Sequence, residues 1–469
     1  MANSQEEWLG DGLRPAGLKG GTLPSLRRNF TWTFFGTIVQ SGCNWAMILV
    51  IAKFGTPRMV GQYAIGQAVT APIIVFTQLQ LRGVLISDSG QSYRFGDYLG
   101  LRMITITLAM AAIAAISLGG GYGETAVVIL AMGAFSSVEA LSDIIYGLMQ
   151  KNEQMRLVAL SMAFRGPLWL ATMAAAVYLT RGLLWGVIGL SFISVFVLVL
   201  FDIPNGARLL SETAAGGQPG DPTPAPSLRR YARLAWLALP IGLTVLVNSL
   251  SGNMSRYYIE ENVGEYGLGI FAAVASLLGI VRTVTGALAQ SVFPRLARLY
   301  AGGHRAGFIS LLWKFVGISA LVGAVPLAAC VVAGEGILSL LFKPEYARAV
   351  DVLVWLMASG VQDSIISSLG VTLTAARYFR LQVPLSIVVL LTAALTSHLL
   401  IPSGGLRGAA ISVFATSSCQ LLCYLIATYY LIHKFVWGTR GGEDAHGRKP
   451  AWAWAPRATS NTREREVGR

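Results

Sequence analysis

With 469 residues, 54% of them hydrophobic and only 13% charged, and a mean hydropathy of +0.59, the chain is excluded from the ordinary soluble domains, which carry about a quarter charged residues. Its net charge of +13 does not point to nucleic acid. Most Lys and Arg fall in loops on one side of a series of apolar blocks, where membrane orientation and lipid head groups account for them.

The first 30 residues are polar, with Glu6, Glu7 and Asp11 beside four basic residues. They hold neither an apolar core nor a small-residue cleavage site, so no secretory signal is read there and the first span acts as its own insertion signal. Apolar blocks then recur near 31–53, 62–82, 98–118, 124–149, 156–179, 182–203, 232–255, 266–292, 308–333, 350–376, 380–401 and 406–433. Each is about the 20 residues that a ~30 Å hydrocarbon core requires. The expected fold is an all-α polytopic membrane protein of about twelve transmembrane helices.

A stretch rich in Pro, Gly, Ala and Thr, "PNGARLLSETAAGGQPGDPTPAPSLRR" at 204–230, reads as a linker. It divides the chain into an N-terminal segment 1–30, a six-helix lobe 31–203, the linker 204–230, a second lobe 231–433, and a polar, disordered tail 434–469. Assigning both termini to the cytoplasm puts Arg27, Arg28, Arg94, Lys151, Arg229, Arg230, Arg233, Arg295, Arg298, Arg377 and Arg380 inside, as the positive-inside rule requires. The four cysteines, Cys43, Cys330, Cys419 and Cys423, all lie in apolar blocks and support neither a disulfide framework nor a zinc site.

The phrase "VGQYAIG" at 60–66 returns as "VGEYGLG" at 263–269, each time at the start of the second span of its half. Six spans being an even number, the halves read as parallel repeats about an axis along the membrane normal. Lys53 falls opposite Arg256 in this register. Arg82 matches Arg282 to within about one helical turn, and Asp143 in the fourth span is matched by Asp363 in the tenth.

At these residues a family enters. "RNFTWTFFGTIVQSGCNWAMILVIAKFGTPRMVGQYAIGQAVTAPIIVFTQLQLRGVLISD" (28–88), "YGLMQKNEQMRLVALSMAFRG" (146–166) and "GEYGLGIFAAVASLLGIVRTVTGALAQSVFPRLARLY" (264–300) resemble the polysaccharide-biosynthesis flippases of the multidrug/oligosaccharidyl-lipid/polysaccharide exporter superfamily. The resemblance extends over roughly 28–433 and is one of pattern rather than of an invariant signature. It implies two six-helix lobes in a V around a central cavity. It also implies a bacterial inner-membrane carrier moving undecaprenyl-diphosphate-linked oligosaccharide from the cytoplasmic to the periplasmic leaflet by alternating access. The partners it implies are that lipid-linked substrate, membrane lipids and polysaccharide polymerase or assembly proteins, with no nucleic acid, cofactor or metal.

A sugar-diphosphate head calls for cations in a watery cavity, because phosphate is costly in hydrocarbon and Arg binds it bidentately. Arg165 and Arg282 at mid-membrane depth are the leading candidates, with Lys53 and Arg256 near the outer rim and Arg82 near the inner one. For the three at span ends, snorkelling to head groups is the alternative. Asp143 and Asp363 are the candidate ion-coupling acids. Asp143 reads equally as a salt-bridge partner of Arg165 across the hairpin at Lys151. Asp363, without an obvious partner, reads as a proton or sodium site or as a hydrogen-bonded structural acid. His398 is a titratable group in an apolar span. Pro72, Pro167, Pro240, Pro326 and Pro384 permit kinks.

Two other functions compete. A cation-coupled multidrug antiporter of the same superfamily would present mainly acidic cavity residues. A membrane glycosyltransferase or polymerase would need a large outward loop or paired acids near a metal, and the outer loops here are short. The chain therefore reads as a transporter and not an enzyme.

Overall fold

Residues 26–88, 93–215, 227–376 and 378–437 are described by the computed structural model, and every regular element among them is helical. The N-terminal 1–25, the segment 216–226 and the tail from 438 onward lie outside the described residues, as does Arg377. Chain order gives α1 (Leu26–Phe54), α2 (Pro57–Gln78), α3 (Leu81–Ser87), α4 (Phe95–Gly119), α5 (Thr125–Lys151), α6 (Met155–Thr180), α7 (Leu183–Val197) and α8 (Ile203–Ala215) in the first half. The second half holds α9 (Leu228–Ser276), α10 (Leu278–Ala301), α11 (Arg305–Leu341), α12 (Pro344–Ala347), α13 (Val350–Ala375) and α14 (Phe379–Trp437).

Local chemistry sets the ends. Thr56 is extended and its Oγ accepts from Met59 N at 3.4 Å, with Pro57 in the first turn of α2, the arrangement that stops one helix and starts the next. Gly121 and Gly123, at φ 72° and 53°, make the tight α4–α5 loop. The five intramembrane prolines read in the sequence all lie inside helices.

Ten continuous helical stretches among the described residues are long and apolar enough to cross a membrane. Two are too long for one crossing: Leu228–Ala301 has 74 residues and Leu381–Phe435 has 55, against the ~20 that span a bilayer. Each is broken at a glycine. In α14, Gly405 takes φ 53°, ψ −134°, and the chain doubles back. Ser397 Oγ lies 3.0 Å from Ser412 Oγ, and Thr392 Oγ1 lies 3.4 Å from Cys419 Sγ. In α9, Gly264 takes φ 83°, ψ 178°, and the next residue, Glu265, touches the start of α2 and α5. Counting the two breaks brings the helices to the twelve passes read in the sequence. Because an L-residue is strained at the Gly405 dihedrals, Gly405→Ala is expected to destabilise the folded chain by about 1–3 kcal/mol, measured by reversible unfolding in lipid–detergent micelles. A loss below half a kcal/mol would contradict the hairpin.

The linker expectation needs correction at its start. Helix continues from α7 through a π turn, Leu198–Asp202, into α8, so 204–215 is helical rather than linker. The reason is packing: Leu209 and Leu210 are buried in a cluster with Tyr98, Ile145, Leu148 and Leu198. Likewise α1 begins at Leu26 rather than at 31.

The core has three parts. One cluster joins both halves, from Met47, Ile51, Val60 and Ile65 to Leu268, Phe271, Leu353 and Ile401. A second belongs to α3, α4, α5, α6 and α8 with the start of α9, and a third to α10, α11, α13 and α14. The halves thus share a core beside the short loops 55–56, 120–124 and 342–349; toward the side where the described chain begins and ends there are two cores, one of the first half with the start of α9 and one of the second half.

Candidate functional site

At the short-loop side the two halves are held together by polar contacts around Glu265. Arg58 Nε donates to Glu265 at 2.7 Å, Gln62 Nε2 donates to it at 3.4 Å, and Thr125 Oγ1 donates to its other oxygen. Gln62 and Glu265 occupy matching positions of the repeated phrase, so the two copies meet each other. Gly61 and Gly269 lie back to back there; a Cβ on Gly61 would overlap Glu265 O, and one on Gly269 would overlap Pro57 O. Such backbone proximity is the use small residues have in membrane helix packing. Lys53 Nζ donates to Leu340 O at 3.0 Å, at the carbonyl end of α11, and Lys343 donates to Gly55 O. Burial, followed by the charge of Glu260, pushes the Tyr122 phenol up in the adjoining loop. Lys53, read as a cation of the outer rim, is therefore engaged across the joint between halves.

The matched arginines and acids turn out to be partners. In the first half Arg82 Nη1 donates to Asp143 at 3.1 Å, while Nε and Nη2 reach Gln150 at 3.2 and 2.9 Å. In the second half Arg282 Nη2 donates to Asp363 at 2.7 Å, and Ser417 Oγ donates to the other Asp363 oxygen at 3.0 Å. Each half thus joins its second and fourth passes by one arginine–aspartate pair. The expectation of a solitary Asp363 is corrected. Its partner comes from the eighth pass, and Arg282 itself is 65% exposed.

Arg82 and Asp143 face a cavity of about 290 Å³ lined by Gln78, Gln80, Arg82, Gly83, Ile86 and Asp143. Asp143 also lies 3.5 Å from Nη2 of Arg102, whose side chain is fully buried. Arg256, half-buried, donates to Asn253 Oδ1 at 3.1 Å. His398 packs edge-on against Tyr258, ring centroids 5.9 Å apart.

Arg165 has other company than Asp143. Its Nη1 donates to Glu139 at 2.8 Å, and its Nη2 donates to Asp202 at 2.7 Å and to Ser142 at 2.9 Å. The guanidinium lies 5.8 and 5.9 Å from the rings of Tyr146 and Trp169 and has no exposed surface. Ser161 donates to the second Asp202 oxygen and shares a 2.7 Å hydrogen bond with Tyr146. Asp202 closes the π turn, where Ile203 N donates to Leu198 O, five residues back; such turns recur at functional places in helices. Arg82 also lies 5.8 Å from the Tyr146 ring, so the two networks share one ring.

Arg102, Glu139, Asp202, Arg58 and Glu265 were not among the sequence candidates. The sign that reveals Glu139 is the one used for Arg165, a charge in the middle of an apolar span. Arg102 and Asp202 lie near span ends, where charges are unremarkable. Among the described residues no group of three or more His, Cys, Asp or Glu is arranged to hold a metal ion.

No family model matches the chain. It is 26% identical over 405 residues to the capsular polysaccharide biosynthesis protein CapF of Staphylococcus aureus, covering 85% of this chain and 98% of that one. Its fold is similar to that of a multidrug resistance MATE family transporter of the MOP superfamily in an inward-facing conformation, with TM-score 0.66, 14% identity, and 84% and 95% of the two chains covered. It is also similar to the lipid II flippase MurJ in an inward closed conformation, with TM-score 0.68, 11% identity, and 87% and 89% covered. The chain therefore has the polytopic fold of transporters and flippases. Its resemblance to polysaccharide-biosynthesis members of the exporter superfamily is met by a nearly full-length relative.

Proposed function

We propose that the chain is a flippase that carries undecaprenyl-diphosphate-linked oligosaccharide from the cytoplasmic to the periplasmic leaflet of a bacterial inner membrane, for cell-surface polysaccharide. Both termini lie in the cytoplasm, and the present state, joined at the short-loop side, faces inward. The observation that carries this reading is the pair of matched arginines, Arg82 and Arg282, each held by one aspartate. They lie where the shared core gives way to two separate ones. A diphosphate offers each arginine what its carboxylate offers now, so the head can be captured by exchange rather than by exposing bare charge to hydrocarbon. Arg256 is a further cation of the second half. Asp363, once released, is available to a proton or sodium ion, which would help reset the empty carrier.

The direction follows from charge. A diphosphate carries about two negative charges and the cytoplasm is the negative side, so outward passage of two uncompensated charges gains about 4.6 kcal/mol per 100 mV. The test uses proteoliposomes of the full chain with a fluorescent undecaprenyl-diphosphate oligosaccharide. Flipping should accelerate when the side bearing the termini is made negative. Arg82→Ala or Arg282→Ala should slow it about tenfold or more, the worth of a lost charged hydrogen bond. Vesicles that leave the lipid unflipped but export a cationic drug against a proton or sodium gradient would establish the antiporter instead.

A further inference from the structure

Among the described residues, Arg102 is the polar group least provided for. Its side chain is fully buried in α4, and Nε, Nη1 and Nη2 all lack a hydrogen-bond partner. Its one ionic neighbour among the described residues is Asp143 Oδ2 at 3.5 Å, too long for a hydrogen bond. Buried guanidinium groups normally satisfy most of their five N–H donors. Asp143 meanwhile gives its other oxygen to Arg82 at 3.1 Å and lines the polar cavity with it. One carboxylate thus stands between two cations, with short contact to the accessible one and none of hydrogen-bond length to the buried one. Arg82 does not depend on Asp143 alone, because Gln150 accepts from it twice. The second half has the same arginine–aspartate pair, but there the second oxygen of Asp363 is already taken by Ser417.

We infer that Asp143 is a displaceable stand-in for the anionic head, and that Arg102 is the buried berth to which it moves when a phosphoryl group takes Arg82. The inference rests on the flippase reading, in that it names how one of the two arginines is released to substrate. In the empty carrier Asp143 neutralises Arg82. When an anion enters the cavity, which has room for roughly ten waters at ~30 Å³ each, a small shift of the Asp143 carboxylate exchanges one ion pair for another. Arg82 is never left without an anion, and the carboxylate never without a cation. Arg102 makes no contact with the ligand and acts through Asp143; it is a positioning residue. The unsatisfied donors of Arg102 are, on this account, the mark of the empty state.

The experiment is a double-mutant cycle on the full chain in nanodiscs, with inorganic pyrophosphate as the probe and its dissociation constant as the readout. Asp143→Asn removes the competitor and should tighten pyrophosphate about tenfold, within the range of coupling between neighbouring charges. Arg102→Met strands Asp143 on Arg82 and should weaken pyrophosphate by a similar factor. In the Asp143→Asn background the same Arg102→Met change should have little effect, because there is no carboxylate left to receive. A merely structural Arg102, or one that touches the anion directly, gives the same loss in both backgrounds and overturns the proposal. So does an Asp143→Asn protein that binds pyrophosphate no more tightly. If Arg102→Met does not fold, infrared difference spectra decide. Pyrophosphate should shift a carboxylate stretch that Asp143→Asn abolishes and Arg102→Lys moves in frequency; no such band overturns the proposal. Failure of the flippase reading looks different: Arg82→Ala then binds pyrophosphate as tightly as the unaltered protein.

Discussion

Arg165→Met is expected to destabilise the protein by about 3–5 kcal/mol, the cost of removing one partner from a buried ion pair. Glu139 and Asp202 would be left facing each other across the vacated space, with Asp202 wholly buried. Their remaining hydrogen bonds come from neutral groups, Ser161 among them, and hydroxyls do not compensate a charge in low dielectric. The penalty belongs to the stranded acids rather than to the loss of packing. The triple substitution Arg165→Met, Glu139→Gln, Asp202→Asn should therefore recover most of the stability, as replacement of whole buried ion networks does elsewhere. Arg165→Lys should fall between, since a single ammonium cannot reproduce the fork that reaches Glu139 and Asp202 at once. Equilibrium unfolding of the four proteins in lipid–detergent micelles measures this. A single substitution that costs less than 1 kcal/mol, or a triple one no better than the single, would show that the network does not hold the first half together.

Gly269→Val is expected to abolish the short-loop closure and, in the proposed flippase, transport. Its Cβ would occupy the space of Pro57 O, and a backbone carbonyl in the first turn of a helix cannot step aside as a side-chain tip can. In the proposed alternating carrier only the joined state contains this contact, so the penalty falls on one conformation. A difference of about 5.5 kcal/mol moves a two-state equilibrium from 99:1 to 1:99, and an overlap of backbone atoms exceeds that. Spin labels at Phe54 and Leu340, both exposed beside the Lys53–Leu340 bond, should report a short distance in the unaltered protein and a longer one in Gly269→Val. An unchanged distance distribution would mean that the two glycines are not the contact on which closure turns. Glu265→Gln gives the graded counterpart. It loosens the same joint without a clash and should widen the distribution rather than displace it.

The passes were legible because a run of about 20 apolar residues has one physical meaning in a membrane. The correspondences Arg82 to Arg282 and Asp143 to Asp363 were legible as position. Their pairing was not, since the partners are 61 and 81 residues apart and sequence spacing conveys nothing about helices that meet only on packing. That is why Asp363 looked solitary and why Arg165 was set against Asp143, its neighbour across a hairpin, instead of Asp202 from the sixth pass. Depth within a span correctly singled out Arg165 as a charge requiring explanation. It could not distinguish a cation lining water from one satisfied inside a helix bundle. The start of the linker was misread for a compositional reason: the Gly- and Pro-rich residues that follow dominate the stretch and hide Leu209 and Leu210, which bind α8 to α5.

The π turn at Leu198–Asp202 bears on the history of the sixth pass. Such a turn is what a helix becomes when it holds one residue more than its α-helical neighbours allow. The wide turn absorbs that residue: had the helix stayed α-helical with it, everything beyond would be swung by about 100°, one residue's rotation in a helix of 3.6 per turn. Asp202 would then leave Arg165, and Leu209 and Leu210 would leave the groove they fill. The acid and the wide turn are consequently a single inherited character. A related chain that keeps the residue but loses the wide turn has to satisfy its buried arginine from some other helix, or lack that arginine altogether.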